Sequence, residues 1–371
     1  MTMNRNTLIL AAGLMAALPT AAFAADDVKP ETAAPDVYPY IDGVINLKFD
    51  NDWVFHSSNP ANEFNNLYMH GSTAAFKLGL TQVFSVNLGL TLEQVKGPFP
   101  PEDCTMCGIG LYMDTLDLQA DVGNWTFTAG KYEPAFGFAW DVTPGPWGSR
   151  YAEDYELTER MALGAAYTFD TSFGKHTLAV NTFFADTTVF SESLFNNRGR
   201  LHDYDGGAGN TGKFDNFSVT LAGEEIPGLE GFKYNIGYRH QTGTESDAGD
   251  ENGFVIGLAK DTEIGNGVTL GLIGELAYFE HYTGAADDAT YVTVGSSLKR
   301  GPWHGELTGS FRDFETNDRL VAASVGYEFD GGYDLSVGYG REHVAGDNND
   351  MIGVRLTKCF SFSTRSKKPE C

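Results

Sequence analysis

Residues 125–169 read WTFTAGKYEPAFGFAWDVTPGPWGSRYAEDYELTERMALGAAYTF. At one end Trp125, Phe127 and Ala129 alternate with Thr126, Thr128 and Gly130; at the other, Met161, Leu163, Ala165, Tyr167 and Phe169 alternate with small or polar residues. A period of two is the mark of a strand with one apolar face. The connection between these strands, 133–160, is too long for an ordinary hairpin and mixes Pro and Gly with aromatics, carboxylates and arginines. Connections of that length inside a compact chain usually carry function.

Outward from this stretch, the same alternation predicts sixteen strands between Tyr40 and Phe362. Their connections alternate in length. Phe84-Ser85, Gly123-Asn124, Thr171 to Gly174, Pro227 to Gly231, Ile264 to Gly267, Arg300 to Pro302 and Asp330 to Gly332 read as tight turns. His56 to Asn66, Gly97 to Gly110, the stretch after Tyr132, Phe190 to Asn216 and Thr242 to Asn252 are longer and more polar. One trimmed end and one elaborated end is the plan of an outer-membrane barrel. The faces agree: Tyr333, Leu335, Val337 and Tyr339 alternate with Ser336, Gly338 and Gly340, giving an apolar face with aromatic ends and a small, polar one. In lipid, aromatics at strand ends form girdles, and closure gives every backbone group a partner. About sixteen strands leave an aqueous lumen, lined here by residues such as Asn87, Gly89, Thr91, Thr128, Ser218, Thr220 and Ser324.

Composition narrows the class. The 371 residues carry a formal charge of -25 and are 42% hydrophobic, which argues against disorder and against a nucleic-acid partner. Beyond the N-terminus no run approaches the roughly 20 apolar residues of a spanning helix. Arg5, the apolar run Leu8 to Leu18 and Ala22-Phe23-Ala24 read as an export signal cut after Ala24. The expected organisation is a signal peptide (1–24), a flexible lead-in (25–37), the barrel (38–362) and a periplasmic tail (363–371). Export places the cysteines in an oxidising compartment, so Cys104 and Cys107 are expected to pair in preference to holding a metal. Cys359, facing the lumen near the rim, is within reach of a tail that brings back Cys371.

With the segments FTAGKYEPAFG (127–137) and AWDVTPGPWGSRYAEDYELTERMALGAAYTF (139–169) in place, the chain resembles Gram-negative general porins and is similar to porin-like proteins of alphaproteobacteria. The resemblance implies an all-β, 16-stranded antiparallel transmembrane β-barrel whose third long loop folds inward. It also implies passive diffusion of ions and small hydrophilic solutes across the outer membrane, often by a trimer, with outer-membrane lipid and lipopolysaccharide as surroundings. Two features depart from the family. Phe362 is followed by STRSKKPEC, so the barrel-assembly machinery must tolerate a tail or read Phe360 and Phe362 internally, and no compact arginine cluster stands out.

The expected constriction is the loop 140–159, with Asp141, Glu153, Asp154, Glu156 and Glu159 set against Arg150 and Arg160. Scattered pore-lining bases are Lys48, Lys77, Arg239, Arg312 and Arg355. The acidic surplus predicts a mild cation preference that salt screens. A substrate-specific channel for an iron chelate, anion or sugar is the alternative, with Phe136, Phe138, Trp140, Trp147, Tyr151 and Tyr155 as a stacking surface; a structural or adhesive barrel is a third reading. No hydrolase, metalloprotease or phosphate-loop motif occurs, so neither enzyme activity, cofactor nor resident metal is expected; His202 with Asp203 and Asp205 reads as a solvated loop. Glu245, Asp247, Asp250 and Glu251 read as an exposed acidic loop able to bridge anionic lipid through divalent cations.

Overall fold

Strands with one apolar face and unsatisfied edges can live in a membrane only if the sheet closes on itself. The computed structural model, which describes residues 37–365 together with Pro369 and Glu370, has that closure. The signal peptide, the lead-in up to residue 36 and Cys371 lie outside the described residues. The wall strands are β1 (Tyr40–Ser57), β2 (Phe64–Met69, continued by Ser72–Gly79), β3 (Phe84–Gln94), β4 (Ile109–Val122), β5 (Trp125–Tyr132), β6 (Arg160–Thr171), β7 (Gly174–Ala185) and β8 (Asn216–Glu224). They continue as β9 (Phe232–Gln241), β10 (Glu251–Gly265), β11 (Val268–Glu280), β12 (Ala289–Arg300), β13 (Trp303–Phe314), β14 (Thr316–Phe329), β15 (Tyr333–Val344) and β16 (Asp347–Ser363). The sheet contains eighteen hydrogen-bonded segments, which make sixteen strands because β2 is broken at His70-Gly71 and Cys104–Thr105 is a two-residue bridge against it. Neighbouring wall strands run antiparallel, and β1 closes on β16 from Asp42 opposite Ser363 to Ser57 opposite Asn349.

The faces follow the alternation. Along β10, Phe254, Ile256 and Leu258 are exposed while Val255 between them is buried. On β15, Tyr333, Leu335, Val337 and Tyr339 are exposed and Ser336 is buried. Exposed leucines and valines around a closed wall form a surface that water would penalise and hydrocarbon accepts. Aromatic pairs mark its two margins: Trp125 with Tyr167 (4.7 Å) and Trp303 with Tyr327 (4.9 Å) at the trimmed end, Tyr238 with Phe254 (4.9 Å) at the other. Among the described residues no helix is long and apolar enough to cross a membrane.

Two sequence expectations are corrected. The turn expected at Phe84-Ser85 lies at residues 80–83, where the Thr81 hydroxyl accepts the N–H groups of Val83 and Phe84, so Phe84 opens β3. The alternation of short and long connections also ends before the last hairpins. Glu315 alone joins β13 to β14, and Ala345-Gly346 join β15 to β16; all three have positive φ, the geometry that turns a chain most tightly between strands.

Candidate functional site

The connection from β5 to β6, residues 133–159, is built from two short helical turns, Ala139–Val142 and Ala152–Tyr155, separated by TPGPWGSRY. Glycine is required at two points. Gly137 has φ +79°, and a Cβ there would stand 2.7 Å from a Glu275 oxygen; a Cβ on Gly148 would stand 2.4 Å from the carbonyl oxygens of both Thr143 and Pro144.

This connection lies against the polar face of the wall and is held by strands far apart in sequence. Glu275 on β11 accepts from the N–H groups of Phe138 (2.7 Å) and Ala139 (3.2 Å) and from the Tyr155 hydroxyl (2.6 Å). On β1 the Asp52 carboxylate accepts from Trp147 Nε1 at 3.1 Å, and on β13 the Thr308 hydroxyl donates to the Pro144 carbonyl at 2.7 Å. Glu342 on β15 takes Arg150 at 2.7 Å and the Tyr151 hydroxyl at 3.2 Å. Phe136, Trp147, Tyr151 and Tyr155 are buried in one cluster with Phe279, Tyr282 and Tyr291. These rings are therefore spent on packing, Tyr155 lying 5.0 Å from Tyr291, and they do not offer a stacking surface to a sugar.

The bases divide by role. Arg239 on β9 pairs with Glu251 at 2.7 Å, donates to the Tyr155 carbonyl and lies 4.4 Å from the Phe279 ring. Arg355 on β16 pairs with Asp50 at 2.6 Å and donates to the Pro146 carbonyl at 2.7 Å. Both clamp the loop backbone while their charges are met by wall carboxylates. Arg312 on β13 bridges Asp318 (2.5 Å) and the loop carboxylate of Asp154 (2.8 Å). Lys48 makes no ion pair among the described residues, and Lys77 sits half-buried on β2.

Of the loop acids, Asp154 goes to Arg312, and Glu159 goes to Lys131 (2.7 Å) and Arg198 (2.5 Å). Arg160 is the first residue of β6, with its Nε buried and unpartnered. Asp141, Glu153 and Glu156 remain without an ion pair among the described residues. Burial, reinforced by Glu275 and opposed by Lys48, pushes the Asp141 carboxyl up to about 7. Burial and then Asp141, Glu133 and Glu275 hold Glu156 well above the usual carboxylate range. Protein crowding around Glu153 raises it to about 7 against the pull of Arg150, although its side chain is exposed and the water that reaches it moderates the rise.

Sequence reasoning missed Glu275, Glu342 and Asp52 as loop anchors and Asp50 as the partner of the anchoring Arg355. Their signal was present: Glu275 is the lone carboxylate inside the apolar run LGLIGELAYF, in phase with the inward face. One reading is corrected. Glu251 is not an exposed loop acid; it opens β10, is fully buried, and accepts from Arg239, Gln241 and the Thr283 N–H. Its neighbours Asp247 and Asp250 hold their own loop through the N–H groups of Thr244 and Gly243. Among the described residues no group of three or more His, Cys, Asp or Glu is placed to hold a metal ion. Cys104 and Cys107 are joined by a disulfide, with Cα atoms 5.9 Å apart. Cys359 is not a free thiol, and the proposed partner Cys371 lies outside the described residues.

No curated protein sequence and no family model matches the chain. Solved structures do. The chain is similar to OprB of Pseudomonas putida (TM-score 0.54, 11% identity, covering 87% of this chain and 94% of that one). It is also similar to OmpT, an outer membrane protein of Vibrio cholerae (TM-score 0.52, 12% identity, 87% and 99% covered). A third match is OpdK of Pseudomonas aeruginosa, solved with vanillate (TM-score 0.52, 10% identity, 88% and 99% covered). At such identities the likeness concerns the fold, and the fold of this chain is the closed antiparallel barrel of bacterial outer-membrane proteins.

Proposed function

We propose that the protein is a porin: a water-filled outer-membrane channel for passive diffusion of ions and small hydrophilic solutes, narrowed by the loop 140–159 folded into the lumen. The observation that carries this reading is the loop's anchorage to the polar face of β1, β11, β13, β15 and β16 while Glu153 stays exposed and unpaired. A loop tied to the inner side of so many strands occupies the space that a solute must cross. Of its acids without an ion pair, Asp141 and Glu153 favour cations once ionised above a pH of about 7, because a surplus of one sign in a confined site concentrates counterions, whereas Glu156 is held well above the usual carboxylate range. Burial of Phe136, Trp147, Tyr151 and Tyr155 speaks against a sugar-stacking surface built on them, while Phe138 and Trp140 are partly buried against the same cluster. Assembly as a trimer, contact with lipopolysaccharide and handling by the barrel-assembly machinery follow from the porin resemblance of the sequence.

The test is purified protein in a planar bilayer, with conductance and reversal potential read in a salt gradient. Stepwise conductance with a cation-directed reversal potential at low salt is expected. A protein that inserts yet conducts nothing would overturn the channel reading in favour of a structural barrel.

A further inference from the structure

β5 leaves the wall early. Its pairing with β4 ends at Leu116 opposite Lys131, whereas β4 continues to Ile109, paired there only with β3. The outer part of β4 thus has one edge without a wall strand, and an open edge is poorly tolerated at a membrane. The connection between β7 and β8 covers it. Leu194 and Leu111 exchange both backbone hydrogen bonds, at 2.8 and 3.2 Å, and Asn196 Nδ2 donates to the Ile109 carbonyl at 2.7 Å.

The covering segment has two sides. Leu111 pairs with Leu92 and stands in phase with Leu88 and Leu90 on the outward face. Directly opposed residues in an antiparallel pair share a face, so Leu194, which is 65% exposed, points outward as well. Val189, Phe190 and Phe195 beside it are also exposed. On the other side Arg198 lies 3.5 Å from the ring of Tyr112, pairs with Glu159 at 2.5 Å and donates to the Ser191 carbonyl at 2.8 Å. Lys131 donates to the Phe190 carbonyl at 3.3 Å. The turn Val189–Ser191 supplies its own backbone partners through Thr188 and Val189.

We propose that residues 189–198 act as a surrogate wall strand whose outward apolar side chains, Leu194 foremost, sit in the acyl chains of the outer-leaflet lipid. Lipid is the occupant because the patch is continuous with the apolar belt through Leu111 and Leu92 and shares its phase. Arg198 and Lys131 tie the inward side of this segment to the base of the β5–β6 connection, and the carboxylate within it, Glu192, is exposed.

The test uses the full chain, unreduced, in phospholipid vesicles, with a nitroxide on Leu194→Cys; among the described residues the native cysteines present no free thiol. Leu258→Cys in the belt and Glu245→Cys in an outer loop serve as references, and each variant is first shown to fold as a heat-modifiable barrel. Relaxation of the label by oxygen, which partitions into lipid, is compared with relaxation by a water-soluble nickel chelate. Oxygen dominating at 194 as it does at 258 is expected. Nickel dominating as at 245 would place the segment in water and overturn the proposal. Shielding from both reagents, with or without cross-links between copies, would overturn it in favour of a protein partner. None of these readouts depends on channel activity.

Discussion

Glu275 is the residue on which the loop most depends. Three donors converge on it, two of them backbone N–H groups. Glu275→Leu would strand all three, and each buried donor left unpaired costs about 1–3 kcal/mol. The expected outcome is an undocked loop, read as rapid tryptic cleavage after Arg150 in protein whose barrel stays folded; Glu275→Gln, which keeps an acceptor, should be cleaved far more slowly. Glu153 behaves differently because it is exposed and holds nothing in place. Glu153→Gln should lower the cation preference at low salt and leave protease resistance unchanged. The acids also set a pH dependence. The pKa values of Asp141 and Glu153 rise on folding from 3.8 and 4.5 to about 7, so the folded chain binds protons more tightly than the unfolded one. Lowering the pH through about 7 therefore stabilises the docked loop and removes negative charge from it. Glu275 and Lys48 face Asp141, and Arg150, Asp154, Glu93 and Arg312 face Glu153. Reversal potentials in a low-salt gradient should show cation preference falling as pH drops below about 7, with a smaller change in Glu153→Gln. A preference that grows on acidification would contradict this charge assignment.

At the scale of the element, the loop and the disulfide-closed segment differ in what they support. Gly148 admits no side chain, since its Cβ would overlap two carbonyl oxygens of the same turn. Gly148→Ala should thus force the TPGPWGS turn to open and displace Trp147 from Asp52, visible as increased open-channel noise. The Cys104–Cys107 disulfide closes a loop with a sequence separation of only 3. A loop that short stabilises by about 2 kcal/mol at most, and locally. Gln94 reinforces the site by donating to the Cys107 carbonyl at 3.1 Å and to Asn66 at 3.2 Å. Reduction should accordingly raise protease sensitivity within residues 95–108 and leave the unfolding midpoint of the barrel unmoved.

For the whole molecule the governing fact is the exposed apolar belt. Leu258 lies within it, 47% exposed and flanked by Ile256. If lipid covers this face, Leu258→Arg should destabilise the barrel by about 2–4 kcal/mol, measured by denaturant unfolding from lipid vesicles. On a water-facing surface the same change would fall within about 0.5 kcal/mol of neutral. The closing pair of strands makes a related point. β1 and β16 are brought together from opposite ends of the chain, with the Arg355–Asp50 pair and the Ser57–Asn349 hydrogen bond (2.7 Å) on the seam. Closure therefore awaits the last strand, while the outer edge of β4, which β5 leaves without a wall strand, is met by Leu194 of the β7–β8 connection.

The sequence by itself determined the strands, their inward and outward phases, the aromatic margins, the closed all-β barrel and the local Cys104–Cys107 bond, because all of these follow from spacing along the chain: period two for a strand, Pro and Gly for its interruption, a separation of three for the disulfide. The turn before Phe84 was misplaced because an apolar aromatic opening a strand and one ending a strand leave the same local pattern, and the Thr81 hydroxyl decides between them. Only the tertiary structure decided which charges meet. Arg355 and Asp50 are 305 positions apart, and Arg239 reaches both Glu251 and the backbone of Tyr155 because strand register and barrel curvature carry them to one level. The same geometry buried Glu251, spent the loop aromatics on the wall and placed residues 189–198 over the bare edge of β4, for no spacing along the chain encodes which strand a connection will meet after the sheet has closed.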